Sequence, residues 1–413
     1  MKPITLLVSV CLAGVWSCAT AAQPYTLDQL LSLAMQGNKG VEAAAAGVDA
    51  ARAGIASAAA YPNPEVEYTS GRVSARVPGA ATGTGQTVAI TQRIDLPSQR
   101  YLRQEMARKT LGATAAGQDQ FVVELLAQVK RGFYETLRRE AEFEATLEDL
   151  ALTQQLHERA QVRVDVGDAP RYEAIRVGAE LLNAQKNSQS ALLRVNQAKS
   201  FLRGQIGEIL PVGFAVEGSM GKVAPLTTLE ELRQTMLSTN PELIQYRREL
   251  ERAGVAIDYQ RALRMPNVAL KASSTRDPEV RDTQFGIVMT LPLWDRNRGP
   301  IDEAAANAIR VRGLLEAREF EMTQQLDSAY QQYQIAASQV EALESGIVRQ
   351  AESALRVAEA AYRYGERGII DYLDAQRVLR TARNDLIAAQ FDLHVAAIEI
   401  ERLLAKPLTG THP

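Results

Sequence analysis

Cysteine is nearly absent. The 413-residue chain has two, Cys11 and Cys18, both within its first 22 residues. A chain cleaved after that leader would hold no thiol, which excludes disulfide staples and thiolate chemistry. Histidine is as scarce: His157, His394 and His412 fall at no spacing that makes a metal site or a catalytic triad. The methionines are scattered, so no thioether relay for a soft metal is visible. "GTGQ" (83–86) and "GSMGK" (218–222) are glycine-rich but complete no phosphate loop. Aromatics make up 6% of a chain that is 46% hydrophobic, a balance that suits extended helices better than a compact enzyme. The formal net charge of -3 offers no bulk attraction to nucleic acid. No enzyme, cofactor, metal site or nucleic-acid partner is expected.

What is present begins with the leader. Lys2, an apolar stretch from Ile4 to Trp16 and small residues ending Ala19-Thr20-Ala21 form a secretory signal pattern over residues 1–22. The apolar stretch is short of the ~20 residues of a spanning helix. Cys18 as an acylated first residue is the rival, but Val15-Trp16-Ser17 is a poor lipoprotein context. Either way the protein is expected to be exported.

The rest of the chain is written twice. Leu27 pairs with Leu229, Asn38 with Asn240, Pro64 with Pro266 and Val66 with Val268, a constant offset of 202. "QRIDLPSQR" from Gln92 matches "MTLPLWDRN" from Met289 at 197, and Gly167 matches Gly365 at 198. The drift reads as loops of different length. The expected organisation is a first repeat over 23–211, a linker over 212–225, a second repeat over 226–406 and a tail over 407–413.

Each repeat has the same order. Residues 26 to 60 carry Leu27, Leu30, Leu31 and Ala34 at helical spacing, with Thr26 placed to cap. "YPNP" (61–64) stops that helix. Two stretches with period 2 follow, a hairpin over about 64–96: Val66 and Tyr68 alternate with Glu65, Glu67 and Thr69, and Val88, Ile90 and Ile94 with Thr87, Ala89 and Thr91. The second repeat does the same over about 266–293 with Val268, Leu270 and Ala272, then Phe285, Ile287, Met289 and Leu291. Proline is then missing from Ser98 to Val166, and from Arg296 to Tyr364 apart from Pro300. Roughly 65 helical residues make a rod ~100 Å long. After each glycine turn a helix returns to Ile206 or Leu404, and the 26–60 or 229–263 helix can continue that rod end to end. Four strands with one apolar face carry the alternating signal of a membrane barrel but are too few to close one. Open edges are not tolerated in lipid, so either the sheet is soluble or several chains share a barrel.

The duplicated order, "TLDQLLSLAMQGN" and "TLEELRQTMLSTNP", "QRIDLPSQR", "TLPLWDRNRG" and "YGERGIIDYLDAQR" together resemble the TolC family of outer-membrane efflux channels over essentially the whole mature chain. Their form is most similar to the branch serving heavy-metal cation exporters of the resistance-nodulation-division (RND) type. The resemblance implies a mainly α fold with a small β membrane part. Long helical hairpins would form a periplasmic α-barrel, and each of three identical chains would give four strands to a shared twelve-stranded barrel. It also implies an outer-membrane location, a periplasmic adaptor (membrane fusion protein) and an inner-membrane RND pump as partners, and passage of heavy-metal cations. Efflux of organic compounds through the same kind of duct, and a helical periplasmic adaptor, are the alternative readings. In the family the hairpin tips close the tunnel, which implies that Asp371 and Asp374 form charged rings at the constriction and that Tyr362 and Arg367 hold the tip shut. The first tip departs from this pattern, with Pro170, Glu173 and Arg176 where the second has Gly368, Asp371 and Asp374. A partner for Arg367 is expected from the first repeat, Glu158 before Asp149 or Asp165. Arg93, Gln99 and Tyr101 are read as membrane-interface residues. Trp294 belongs either to an aromatic belt with Tyr68 or beneath the barrel.

Overall fold

The computed structural model describes residues 24–74, 76–79 and 81–407. The leader with Cys11 and Cys18, and nearly all of the 407–413 tail, lie outside the described residues.

The first helical stretch is two helices, α1 (Leu27–Gly37) and α2 (Lys39–Ala59), and not the single one expected over 26–60. Thr26 and Gln29 cap α1 reciprocally. Asn38 breaks the chain, and its side chain does two jobs. Its Oδ1 accepts from the Gly40 amide at 2.7 Å, and its Nδ2 donates to the Gln205 carbonyl at 2.6 Å. Gln205 lies in the last turn of α4 (Arg171–Ile206). One amide thus satisfies an orphan donor at the start of one helix and an orphan acceptor at the end of another. The second repeat repeats the device between α5 (Leu229–Thr239) and α6 (Pro241–Ala262). Asn240 Oδ1 accepts from the Glu242 and Leu243 amides, and Nδ2 donates to the Leu403 carbonyl at 2.9 Å, near the end of α9 (Ile369–Leu404). The expected end-to-end rods therefore exist, but they resume after the asparagines and not at residues 26 and 229.

Between these helices and the tips run the long rods. In the first repeat α3 (Pro97–Asp165) is one helix of 69 residues, about 100 Å long. In the second, α7 (Arg298–Ala342), a π turn (Leu343–Ile347) and α8 (Val348–Arg363) follow without a break. The fall of the offset from 202 to 197 lies in the hairpin loops, 74–82 against 277–280, as expected; the π turn corrects the reading of the last step, from 197 to 198. Buried Leu125, Val129 and Gly132 match Met322, Leu326 and Ala329 at 197, whereas buried Thr153 matches Ala351 at 198. The extra residue entered between Ala329 and Ala351, inside a helix, and a π turn is how a helix absorbs one residue.

Two equivalent cores hold the middle of the molecule. One gathers Leu30, Ala34, Leu125, Val129, Leu202 and Ile206; the other holds their repeat mates Leu232, Met236, Met322, Leu326, Ile400 and Leu404. Arg318 joins the second repeat's helices through a two-pronged pair with Glu242, at 2.7 and 2.9 Å. The linker crosses this level. Val216 bridges to Tyr25, and the Gly221 carbonyl meets His394 Nε2 at 3.1 Å. The His394 ring stacks on Tyr134 at 4.0 Å between centroids. Burial lowers the His394 pKa, so its neutral form is the one that fits. With the folded value below the unfolded one of about 6.5, this contribution is complete above that pH and is lost as pH falls below it. Amide protection around Gly221, taken relative to the intrinsic exchange rate at each pH, is therefore expected to fall from pH 7 to pH 5, and to do so far less in His394→Phe.

The sheet has four antiparallel strands in chain order, β1 (Glu65–Val73), β2 (Gly83–Ile94), β3 (Asn267–Arg276) and β4 (Arg281–Thr290). Val66 opposes Ile90, Ile90 opposes Ala272, and Ala272 opposes Phe285, so the apolar sets of all four strands share one face. The other face is polar, with Arg93 on Glu65 at 2.7 Å and Thr87 hydroxyl to Thr275 hydroxyl at 3.1 Å. The corner below corrects another expectation. Gln99 is buried and donates to the Ala262 carbonyl at 3.0 Å, while Arg100 and Arg103 donate to the carbonyls of Ala58, Ala59 and Ala60. These side chains cap the ends of α6 and α2 and do not face lipid. Trp294 is 93% exposed, so within one chain nothing covers it.

Candidate gate at the hairpin tips

The two tips are built alike. In the first, the Gly167 amide donates to Val164 and the Asp168 amide to Arg163; in the second, Gly365 donates to Tyr362 and Glu366 to Ala361. This is the Schellman arrangement, and it requires the left-handed conformation that Gly167 (φ 79°) and Gly365 (φ 74°) adopt. Each turn is tight enough to send the next helix back along the first.

One apolar cluster ties the tips together. Leu156 and Ala160 of α3, Val177 of α4 and Ile369, Tyr372 and Leu373 of α9 are buried against one another, with Leu355 and Tyr362 of α8 at the margin. The Tyr362 and Tyr372 rings lie 6.1 Å apart at 29°. Arg163 sits over the Tyr362 ring at 5.3 Å and pairs with Asp168 at 3.1 Å. Burial raises the Tyr372 phenol pKa, which keeps it a neutral packing group. Tyr362 thus bridges the two repeats through ring contacts.

The carboxylates lie outside this cluster. Asp371 and Asp374 are about half exposed in the first turns of α9, where the helix dipole favours negative charge. Neither is bare. Arg367 reaches Asp371 at 3.5 Å, and Arg377 reaches Asp374 at 3.1 Å and Glu180 at 3.9 Å. Asp374 also adds to the attraction felt by Arg176 of α4. The ion pair expected between Arg367 and Glu158 does not form within one chain: the i, i+4 spacing places Asp371 nearer, and Glu158 is exposed. Asp149 holds Gln376 at 2.8 Å and Arg380 at 3.0 Å, and Asp165 accepts from Gln161. Arg377 escaped the sequence reading, although its place three residues after Asp374 was itself the signal. The arrangement is a charged, wet rim over a dry joint. Among the described residues no three His, Cys, Asp or Glu side chains gather as a metal site, and no helix is long and apolar enough to cross a membrane.

Comparison with known proteins gives this geometry its setting. The cobalt-zinc-cadmium resistance protein CzcC of Cupriavidus metallidurans is 26% identical over 390 residues, covering 94% of this chain and 91% of CzcC. The outer membrane protein TolC of Escherichia coli is 25% identical over 130 residues, 31% of this chain and 26% of TolC. Among solved structures, CusC superposes with a TM-score of 0.81 at 18% identity, over 94% of this chain and 93% of CusC. The outer-membrane channel OprN superposes at 0.79 and 19%, over 92% and 89%. The fold is therefore that of outer-membrane channels with a helical barrel and a β-barrel part. The model of the outer membrane efflux protein family matches residues 30–208 and 232–406, one match in each repeat. This chain belongs to the outer membrane efflux protein family.

Proposed function

We propose that three copies of this chain form a passive, gated exit duct across the outer membrane and periplasm. An inner-membrane RND pump and a periplasmic adaptor would deliver the substrates, heavy-metal cations. One observation carries the reading. The sheet ends in two unpaired edges, β1 and β4, and exposes Val66, Tyr68, Phe285, Ile287 and Met289 on one face. An apolar face suits lipid, but edges do not. Pairing β4 of one copy with β1 of the next removes both edges and closes twelve strands. The helices agree, since Leu182, Leu193, Ile309 and Phe320 are each about two-thirds exposed on a single chain and need neighbours. The cation assignment is supported by the cobalt, zinc and cadmium in the name of the relative matched over nearly its whole length.

Around a threefold axis Asp371 and Asp374 become two carboxylate rings, which favour cations. Arg367 and Arg377 restrain them, so the ring charge is set by four groups per chain. Tyr362 would hold the tip through its ring, and exposed Glu158 would meet a neighbouring copy. Removing both aspartates takes away the Asp371 partner of Arg367 and leaves Arg377 with Glu180 alone. Asp371→Ala with Asp374→Ala is therefore expected to lower the cation-to-anion permeability ratio severalfold in planar bilayers, and to reverse it where Arg367 and Arg377 dominate. Unchanged selectivity would show that the constriction lies elsewhere. A purified chain that stays monomeric and soluble without detergent would overturn the duct itself.

A further inference from the structure

The apolar face of the sheet has a charged end. By register it carries Val66, Tyr68, Ser70 and Arg72 on β1, even-numbered Thr84 to Ile94 on β2, even-numbered Val268 to Arg276 on β3, and odd-numbered Arg281 to Met289 on β4. That face holds three charged side chains, Arg72, Arg276 and Arg281, and no carboxylate. All three lie at the hairpin end, away from the helices. Glu65, Glu67, Lys271, Arg93 and Asp282 are on the opposite face.

Arg276 and Arg281 are directly opposed across the ladder. Like charges in that position repel, and among the described residues no ion pair offsets them. All three arginines are exposed, and among the described residues none has an ion pair or side-chain hydrogen bond. The nearby carboxylates lie elsewhere: Glu279 accepts from the Ala81 amide at 2.6 Å, Asp282 from Gln284 at 2.6 Å, and the Asp277 carboxylate sits over Gly85 on the opposite face. Closing the barrel does not help. The β1 edge that would meet β4 brings Arg72 to this face, so assembly adds guanidinium groups and no acid.

Height supplies the second constraint. From Arg281 to Met289 is eight residues, about 27 Å of strand and roughly 20 Å along the membrane normal at barrel tilt. The arginines therefore stand at the upper margin of the apolar band, where head groups begin. We propose that Arg72, Arg276 and Arg281 form a belt that binds phosphate groups of outer-leaflet lipid, whose acyl chains lie on Val88, Ile90, Phe285 and Ile287 below. Guanidinium forks match phosphate oxygens in pairs, and a phosphate between Arg276 and Arg281 turns their repulsion into attraction. This inference rests on the membrane-barrel reading above.

The test uses the purified, detergent-extracted full chain and three probes: bis-phosphorylated lipid A, its dephosphorylated form and inorganic phosphate. Bound lipid is counted by native mass spectrometry and the shift in melting temperature is followed. The phosphorylated lipid is expected to bind roughly tenfold or more tighter than the dephosphorylated one. Arg72→Gln/Arg276→Gln/Arg281→Gln should lose that preference while keeping its oligomeric state and conductance, and the all-lysine variant should recover part of it. Equal binding of both lipids by a conducting wild type, or an unchanged preference in the glutamine variant, would overturn the lipid belt and leave the duct standing. Complete displacement of lipid by millimolar inorganic phosphate would show a free-anion site instead. A wild type that needs no detergent would overturn the duct and the belt together.

Discussion

Tyr372→Ala is expected to open the tips. The side chain is 2% exposed, within the cluster that joins α3 and α4 to α8 and α9. Truncating a buried aromatic costs about 3–5 kcal/mol when its surroundings cannot collapse. A loss of that size, borne by the closed arrangement alone, moves a two-state equilibrium by at least about a hundredfold. The two mid-molecule cores share no residue with the tip cluster, so folding and assembly should survive. Single-channel recordings should show a larger or more frequent open current, and limited proteolysis should cut first near Tyr364–Gly368. Tyr372→Phe keeps the ring and should behave as wild type. A sealed, protease-resistant alanine variant would mean that contacts between copies, and not this joint, keep the tip shut.

The second large effect is predicted far from the tips. Gly207 follows α4 at φ 106°, ψ -173°, a region essentially reserved for glycine. A Cβ there would lie 2.7 Å from the Gly37 carbonyl oxygen. Gly207→Ala combines about 1–3 kcal/mol of backbone strain with about 1–3 kcal/mol of overpacking. Its repeat mate is Ala405, at φ 51°, ψ 31°, where the ordinary left-handed well admits a side chain at lower cost. Gly207→Ala is therefore expected to lower the denaturation midpoint sharply, and Ala405→Gly to leave it almost unmoved. Equal effects in both would show that the close approach to Gly37 relaxes on substitution.

The sequence carried the architecture further than the detail. Repeat offsets read from Leu27/Leu229, Gln92/Met289 and Gly167/Gly365 pair the two cores, because duplicated packing keeps apolar residues in step. Alternation in Val66–Tyr68 and Val88–Ile94 placed the strands, because a half-exposed sheet must alternate. Asn38 and Asn240 matched each other but gave no hint of their work, since an asparagine within a helical pattern reads as one more exposed polar residue. Gln99 misled for the opposite reason: an amide group beside a strand suggests an interface, while here it joins Arg100 and Arg103 in satisfying helix-end carbonyls that sequence does not reveal. At the tips, the glycines and aspartates were legible as a motif. The partner of Arg367 was not, because a local one-turn pairing competes with any longer-range choice and its geometry appears only in three dimensions.

The π turn at Leu343–Ile347 bears on how such a duplicated rod can change over generations. A residue added to a plain α-helix turns everything beyond it by about 100°, which would swing Ala351, Leu355 and Tyr362 out of their packed positions at one stroke. Taken up as one wide turn, the addition leaves those side chains on their original side, and the cost stays local. The second rod can therefore gain a residue by a single in-frame event without any compensating change at the tip, and its length is open to drift while its tip stays aligned.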